Sequence, residues 1–183
     1  RAPLPDRYGT AVAVHPSDMA VALTILDATV HVLGPNGSRS IAIADFFALP
    51  GKHPEQDNTL RPAELITGIE LPPGVFGAAS WYLKVRDRHS YAFALVSVAA
   101  GLGIADGVIT HAAVALGGVA ARPWRVRAAE RSLIGAPATT ESYRRAATVL
   151  MSGAQPLSQN GFKVALGHNS VVRALTVAAS RHD

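Results

Sequence analysis

Apolar and polar positions fall in blocks along this chain, and most blocks predict an element. HPSD is a turn in which Ser17 or Asp18 can accept from the open amides of a helical first turn. Behind it Met19, Leu23 and Leu26 recur at helical spacing and predict an inward face. Thr29 to Leu33 is rich in β-branched residues, GPNG supplies turn chemistry, and Ser40 to Ala44 returns as the second arm of a hairpin. Ala44 to Phe47 predicts a short helical turn. GKHPEQDNTLRP is polar and broken by proline, which predicts a surface loop. Leu65 to Leu71 then predicts a strand that Pro72 and Pro73 stop.

A linker near GVFGA leads into a different pattern. Ser80 to Val85 predicts a strand. Ala94 to Ile104 and Val108 to Leu116 predict a hairpin closed by Asp106-Gly107. The apolar residues of AFALVSVAAGLGI do not alternate, so helices must cover a face of this sheet. Three segments supply them: Trp124 to Leu133, Thr140 to Met151, and Phe162 to Ala179. In the last, Phe162, Leu166, Val172 and Leu175 form the expected buried stripe. The predicted class is α+β. A small mixed unit spans residues 1–76, and a three-stranded antiparallel sheet packed against three helices spans residues 77–183. The first unit has a thin core for independent stability.

Composition narrows the chemistry. The 183 residues are 49% apolar and include no cysteine, which excludes disulfides, thiol nucleophiles and cysteine-ligated iron–sulfur clusters on this chain. No apolar run reaches the roughly 18 to 20 residues of a membrane span, since Asp106 ends the longest. RAPLPDRYGT reads as a sequence already in progress, which suggests a processed or clipped chain. Residues 1–80 hold five basic and eight acidic side chains, and residues 81–183 hold twelve and five. A basic second half suits an acidic partner subunit or an anionic ligand. Nucleic acid is disfavoured, because the arginines are scattered among alanines without interleaved aromatics. RPWRVRAAER places Arg122, Arg125, Arg127 and Arg131 around Trp124, and this cluster is expected to face a partner.

No short catalytic signature is present: there is no P-loop, no GxSxG elbow and no histidine pair at metal-ligand spacing. The seven histidines are scattered. His15 reads as a surface or turn residue, and His31 as a strand residue without a visible partner. Asp18 and Asp45 have the spacing of helix caps. LGGVAARPW has a glycine pair but ends a strand and lacks the dinucleotide fingerprint. Lys84 is the one unusual cation, set immediately before the most apolar strand. Either it is a solvated strand end or its charge faces something bound. The residues alone leave open a cofactor-free structural or interaction domain and a small-molecule binding module.

Several stretches in order resemble one family: HPSDMAVAL, GPNG with the following ADF, NTLRPAELITGIELP, YLKVRDRHSYAFALVSVAA, ALGGVAARPWR and NGFKVALGHNSVVRALTVAA. They are similar to the flavin-binding middle subunit of bacterial molybdenum hydroxylases of the xanthine dehydrogenase family, in particular its periplasmic aldehyde oxidoreductase branch. The resemblance implies a three-subunit enzyme. A large subunit oxidises an aldehyde at a molybdenum cofactor, and two [2Fe–2S] clusters of an iron–sulfur subunit relay electrons to FAD in this subunit, which passes them to an external acceptor. It implies that residues 1–76 are the second FAD-binding subdomain and residues 77–183 the C-terminal domain. The glycine-rich pyrophosphate loops of the family have no counterpart here. By the same resemblance Asp18 bonds the flavin's ribityl chain, Leu60 packs on the isoalloxazine, and Lys84 lies near the ring edge. A cation there stabilises charge at the N1/O2 side of a reduced flavin. Ser90 and Tyr91 replace two acidic residues of the xanthine dehydrogenases, which implies a protein or quinone-like acceptor rather than NAD. The resemblance favours a periplasmic over a cytoplasmic bacterial location.

Overall fold

The computed structural model describes residues 13–51, 53, 55–74 and 76–181, and they form two sheets with helices between and beside them. The first sheet has the order β2-β1-β3 and is antiparallel throughout, from β1 (Thr29–Gly34), β2 (Gly37–Ala42) and β3 (Leu65–Glu70). Gly37 closes the β1–β2 hairpin at φ 97°, a conformation glycine adopts without steric cost. One face of the sheet carries Val30, Val32 and Ile41, which pack with Ala28, Ile43 and Phe46; the last two belong to the short helix α2 (Ile43–Phe46). β3 is an edge strand, and its Leu65, Ile66 and Ile69 are exposed.

The second sheet has the order β4-β5-β6-β7, from β4 (Ser80–Val85), β5 (Val96–Ala105), β6 (Val108–Gly117) and β7 (Trp124–Arg125). Asp106 and Gly107 turn the β5–β6 hairpin, both at positive φ, as the two-residue loop matched to strand twist requires. The expected three strands are therefore joined by a short fourth. Residues Trp124 and Arg125, expected as the first turn of a helix, pair with Leu116 and Ala115 instead, and helix α3 begins at Arg127 (Arg127–Leu133). Helices α4 (Thr140–Met151) and α5 (Phe162–Ala179) have the expected bounds.

Why β5 reads as unbroken apolar sequence is now clear: it is covered on both faces. Val96, Val98, Ala100 and Leu102 face α3, α4 and α5 in the main core, while Ala99 faces helix α1 (Asp18–Ile25) with Ala113 and Ala115 of β6. The residues on the α1 face are small because the approach is close. A Cβ at Gly117 would lie 2.6 Å from Val21 Cγ2, and one at Gly101 would lie 2.6 Å from the Phe76 ring. Helix α1 thus touches both sheets. Leu23 meets the first core, whereas Val21, Ile25 and Leu26 meet the second.

Two predicted helix faces are corrected in part: Leu23, Leu26, Leu166, Val172 and Leu175 do pack on the cores, but Met19 and Phe162 do not. Met19 is 63% exposed, and α1 buries Ala20, Val21, Thr24 and Ile25 instead. On α5, Phe162 is 54% exposed and the buried stripe is Gly167, Ser170, Val171, Ala174, Leu175 and Ala178. Ala20 on α1 and Gly167, Ser170, Ala174 and Ala178 on α5 let the backbone sit close to its neighbours, with Val21, Ile25, Val171 and Leu175 packed between. No helix among the described residues is long and apolar enough to cross a membrane.

Candidate functional site

Ser17 and Asp18 divide the two tasks that their positions suggested. The Ser17 hydroxyl caps α1 by accepting from the Ala20 amide at 3.2 Å. Asp18 is thereby free of capping and reaches across to β4. Its Oδ1 accepts from the Tyr82 hydroxyl at 2.9 Å, and its Oδ2 accepts from Lys84 Nζ at 2.7 Å. Tyr82 and Lys84 are two residues apart on one strand, so both project from the same face of the sheet toward α1. The groups that meet are 64 and 66 positions apart in the chain. All three are half-buried. Burial, reinforced by the bond to Asp18, pushes the Tyr82 hydroxyl above its ordinary range, while Ser97 pulls in the opposite direction. Tyr82 is therefore a neutral donor at any physiological pH. A cavity of about 220 Å³ lies alongside, lined by His15, Ser17, Phe93, Ser97 and Gly118 among others.

Leu60 is not drawn into this triad. It packs against the first core beside Leu23 and Phe47, on the NTLRP loop. The loop is firmly built. Arg39 of β2 grips Glu64 through two bonds, Nε to Oε1 at 2.8 Å and Nη2 to Oε2 at 2.7 Å, and also donates to the Thr59 carbonyl. Glu64 Oε2 accepts the Arg61 amide at 2.7 Å, and Asn58 Oδ1 accepts the Leu60 amide at 3.0 Å. These bonds hold the Glu64 carboxyl at about 2, well below its ordinary 4.5, with the Arg39 hydrogen bond the largest cause. Because the folded value is the lower one, the Arg39–Glu64 clamp contributes fully above pH 4.5 and is lost as pH falls toward 2. A carboxyl-carbon NMR titration of Glu64 should show a midpoint near 2, moving toward 4.5 in Arg39→Gln. A wild-type midpoint near 4.5 would mean the clamp does not persist in solution.

Other expectations are revised by the same packing. His15 is half-buried, its ring 4.5 Å from that of Phe47, and burial lowers its pKa; Nε2 is buried without a hydrogen-bond partner among the described residues. His31 has partners after all: its ring bonds Ser40 Oγ at 2.9 Å and Glu70 Oε2 at 2.8 Å across the sheet. The glycine pair is a packed turn. Gly118 stands at φ 70° and its carbonyl accepts from Lys163 Nζ.

The arginine cluster changes most. Arg125, expected to face a partner, is only 9% exposed in its side chain and turns inward. Its guanidinium bonds Glu130 at 2.6 Å, Asp27 at 2.9 Å and the Thr24 carbonyl. Arg127 bonds the same two carboxylates. Trp124 donates Nε1–H to the Leu150 carbonyl at 3.0 Å, which anchors the ring over the second core. Thr24 and Asp27 lie about a hundred residues upstream, at the end of α1, whereas Glu130 is local. Tyr82 is the site residue that sequence reasoning missed; its signal was the two-residue spacing to Lys84.

The chain matches two family models. Residues 10–74 match the FAD binding domain in molybdopterin dehydrogenase, and residues 81–178 match the CO dehydrogenase flavoprotein C-terminal domain. The chain is 45% identical over 172 residues to the aldehyde oxidoreductase FAD-binding subunit PaoB of Escherichia coli, covering 93% of this chain and 50% of that protein. It is 33% identical to the glyceraldehyde dehydrogenase medium chain of Sulfolobus acidocaldarius, covering 89% of this chain and 55% of that one. Among solved structures, carbon monoxide dehydrogenase from Hydrogenophaga pseudoflava superposes with a TM-score of 0.78 at 26% identity, over 90% of this chain and 60% of its own. The chain thus spans about half the length of the curated relatives it matches.

Proposed function

The chain belongs to the flavoprotein family of the CO dehydrogenase and molybdopterin dehydrogenase type, and on that premise we propose that it works as the FAD-binding, electron-transferring subunit of a molybdenum-containing aldehyde oxidoreductase. Electrons would arrive from [2Fe–2S] clusters on an iron–sulfur subunit, after substrate oxidation at a molybdenum cofactor on a large subunit. They would leave to a protein or quinone-like acceptor, in a periplasmic setting. Residues 1–76 would form the second FAD-binding subdomain and residues 77–183 the C-terminal domain.

The observation that carries this reading is the meeting of Asp18 with Lys84 and Tyr82 between the two sheet units. FAD, when bound, supplies the chemistry of taking up an electron pair and passing it on. The residues fit such a group. Asp18 has a carboxylate suited to hydroxyls such as those of a ribityl chain, and Tyr82 steadies it by donating to one oxygen. Lys84 brings a cation, oriented by the other oxygen, to a half-buried place where charge is weakly screened. Leu60 offers an apolar surface on a loop that Arg39 and Glu64 keep from moving.

Lys84→Met removes the charge while keeping an apolar stem of similar reach. In the complete flavoprotein it should lower the two-electron potential by about 30 mV for each 1.4 kcal/mol of stabilisation lost, with FAD still retained. Spectroelectrochemistry of both proteins measures this. Equal potentials and unchanged electron transfer would assign Lys84 a purely structural ion pair.

A further inference from the structure

Away from the triad, at the far end of α1, a cavity of about 370 Å³ opens between the two sheet units. Its walls are apolar and aromatic: Ile43, Phe47 and Leu49 on one side, Trp124 on the other. Both rings are held in place by contacts outside the cavity. Phe47 packs on His15 and, edge to face, on Phe46, while the Trp124 N–H is committed to the Leu150 carbonyl. The volume lies within the range of small-molecule sites.

Three cations border this cavity and one carboxylate faces them. Arg122, Arg125 and Arg127 line it with Asp27. Arg125 is saturated by Glu130, Asp27 and the Thr24 carbonyl, and Arg127 is shared between Asp27 and Glu130. Two carboxylates therefore answer two of the guanidiniums. Arg122 is exposed and makes no hydrogen bond or ion pair among the described residues, so its planar fork is unused. One uncompensated positive charge beside an aromatic slot calls for a monoanion with an apolar body.

We propose that this cavity binds a small aromatic monocarboxylate, its carboxylate paired with Arg122 and its ring held between Phe47 and Trp124. A guanidinium presents two parallel donors that match a carboxylate, which gives orientation as well as charge recognition. A bare phosphate would meet the same charge but leave the apolar walls unfilled. The occupant bridges α2 of one unit and the start of β7 of the other. It also contacts α1 near Thr24 and Asp27, the opposite end from Asp18. The inference needs no flavin, and its test is independent of the function proposed above.

Benzoate, with benzamide as the neutral isostere, is the probe, titrated into the full-length protein by ligand-observed NMR and calorimetry. Benzoate should bind saturably, benzamide should not, and Arg122→Gln should weaken benzoate about tenfold or more. Because Arg122 makes no internal bond, Arg122→Gln should melt as wild type, so lost binding cannot be ascribed to lost fold. Trp124→Leu should reduce binding of benzoate more than of acetate. Equal binding of benzamide, undiminished benzoate binding by Arg122→Gln, or no saturable binding of benzoate would each overturn the proposal.

Discussion

Replacing Arg125 by methionine is expected to cost about 3–5 kcal/mol of stability, the range for removing one partner of a buried ion pair. Glu130 sets the scale. Its side chain is 5% exposed, it accepts the Val114 amide at 3.0 Å, and Arg125 is its main counter-charge. Without the guanidinium, Glu130 is left with Arg127, whose contact is longer at 3.2 Å and whose side chain is 53% exposed. The loss also frees the Thr24 carbonyl and leaves Asp27 to Arg127 alone, so the end of α1 is no longer tied to β7. Arg127→Met, in contrast, removes a solvent-screened cation and should cost less than about 1 kcal/mol. Urea unfolding of the two variants checks the contrast. Should the two variants unfold at the same midpoint, the inward network does not carry the seam. Pairing Arg125→Met with Glu130→Leu should recover much of the loss, because the uncompensated charge is then gone as well.

The second large effect belongs to Gly117→Ala, the addition of one methyl group. Its Cβ would stand 2.4 Å from Ser97 Oγ and 2.6 Å from Val21 Cγ2, and both neighbours are about 1% exposed. Neither can swing into solvent, so α1 must lift from β5 and β6. Overpacking of this kind costs about 1–3 kcal/mol. The displacement would be felt at the other end of the same contact, where Asp18 on α1 meets β4. Tyr82 would lose burial and its bond to Asp18, and its hydroxyl should titrate closer to the ordinary 10.0. Ultraviolet titration and thermal melting measure both effects. Val21→Ala in the Gly117→Ala background should restore the Tyr82 titration and part of the stability, the contact with Ser97 Oγ remaining; a single variant that melts and titrates like wild type would show that α1 does not seat where the close contact places it.

How much of this was legible depended on whether the governing contact was local. Helix α4, helix α5 and strand β4 have the bounds that periodicity predicts, since each is long enough for its pattern to repeat. Strand β7 has two residues and no period, and it borrows its identity from Ala115 and Leu116. The inward face of α1 was misread because the helix meets two cores, so a single stripe through Met19, Leu23 and Leu26 did not describe it. Of the site, Asp18 and Lys84 were singled out and the fold brings them to 2.7 Å. Leu60 lies in a separate cluster. Of the arginines only Arg125 was misassigned: Glu130, five positions on, was a visible partner, whereas Asp27, 98 positions upstream, was not.

The rim of the first sheet has a consequence for how the molecule behaves in company. Strand β2 ends the sheet on one side with GSRSIA, whose glycine, serines and arginine discourage further pairing. Strand β3 ends it on the other with LITGIE, where three large aliphatic side chains are exposed and no lysine or proline interrupts the hydrogen-bonding row. Such a margin is a template for strand addition, and misassembly should begin there when neighbouring molecules are concentrated. Pro62 before it and Pro72 and Pro73 after it act as gatekeepers, confining any added strand to the nine residues between, six of which form β3.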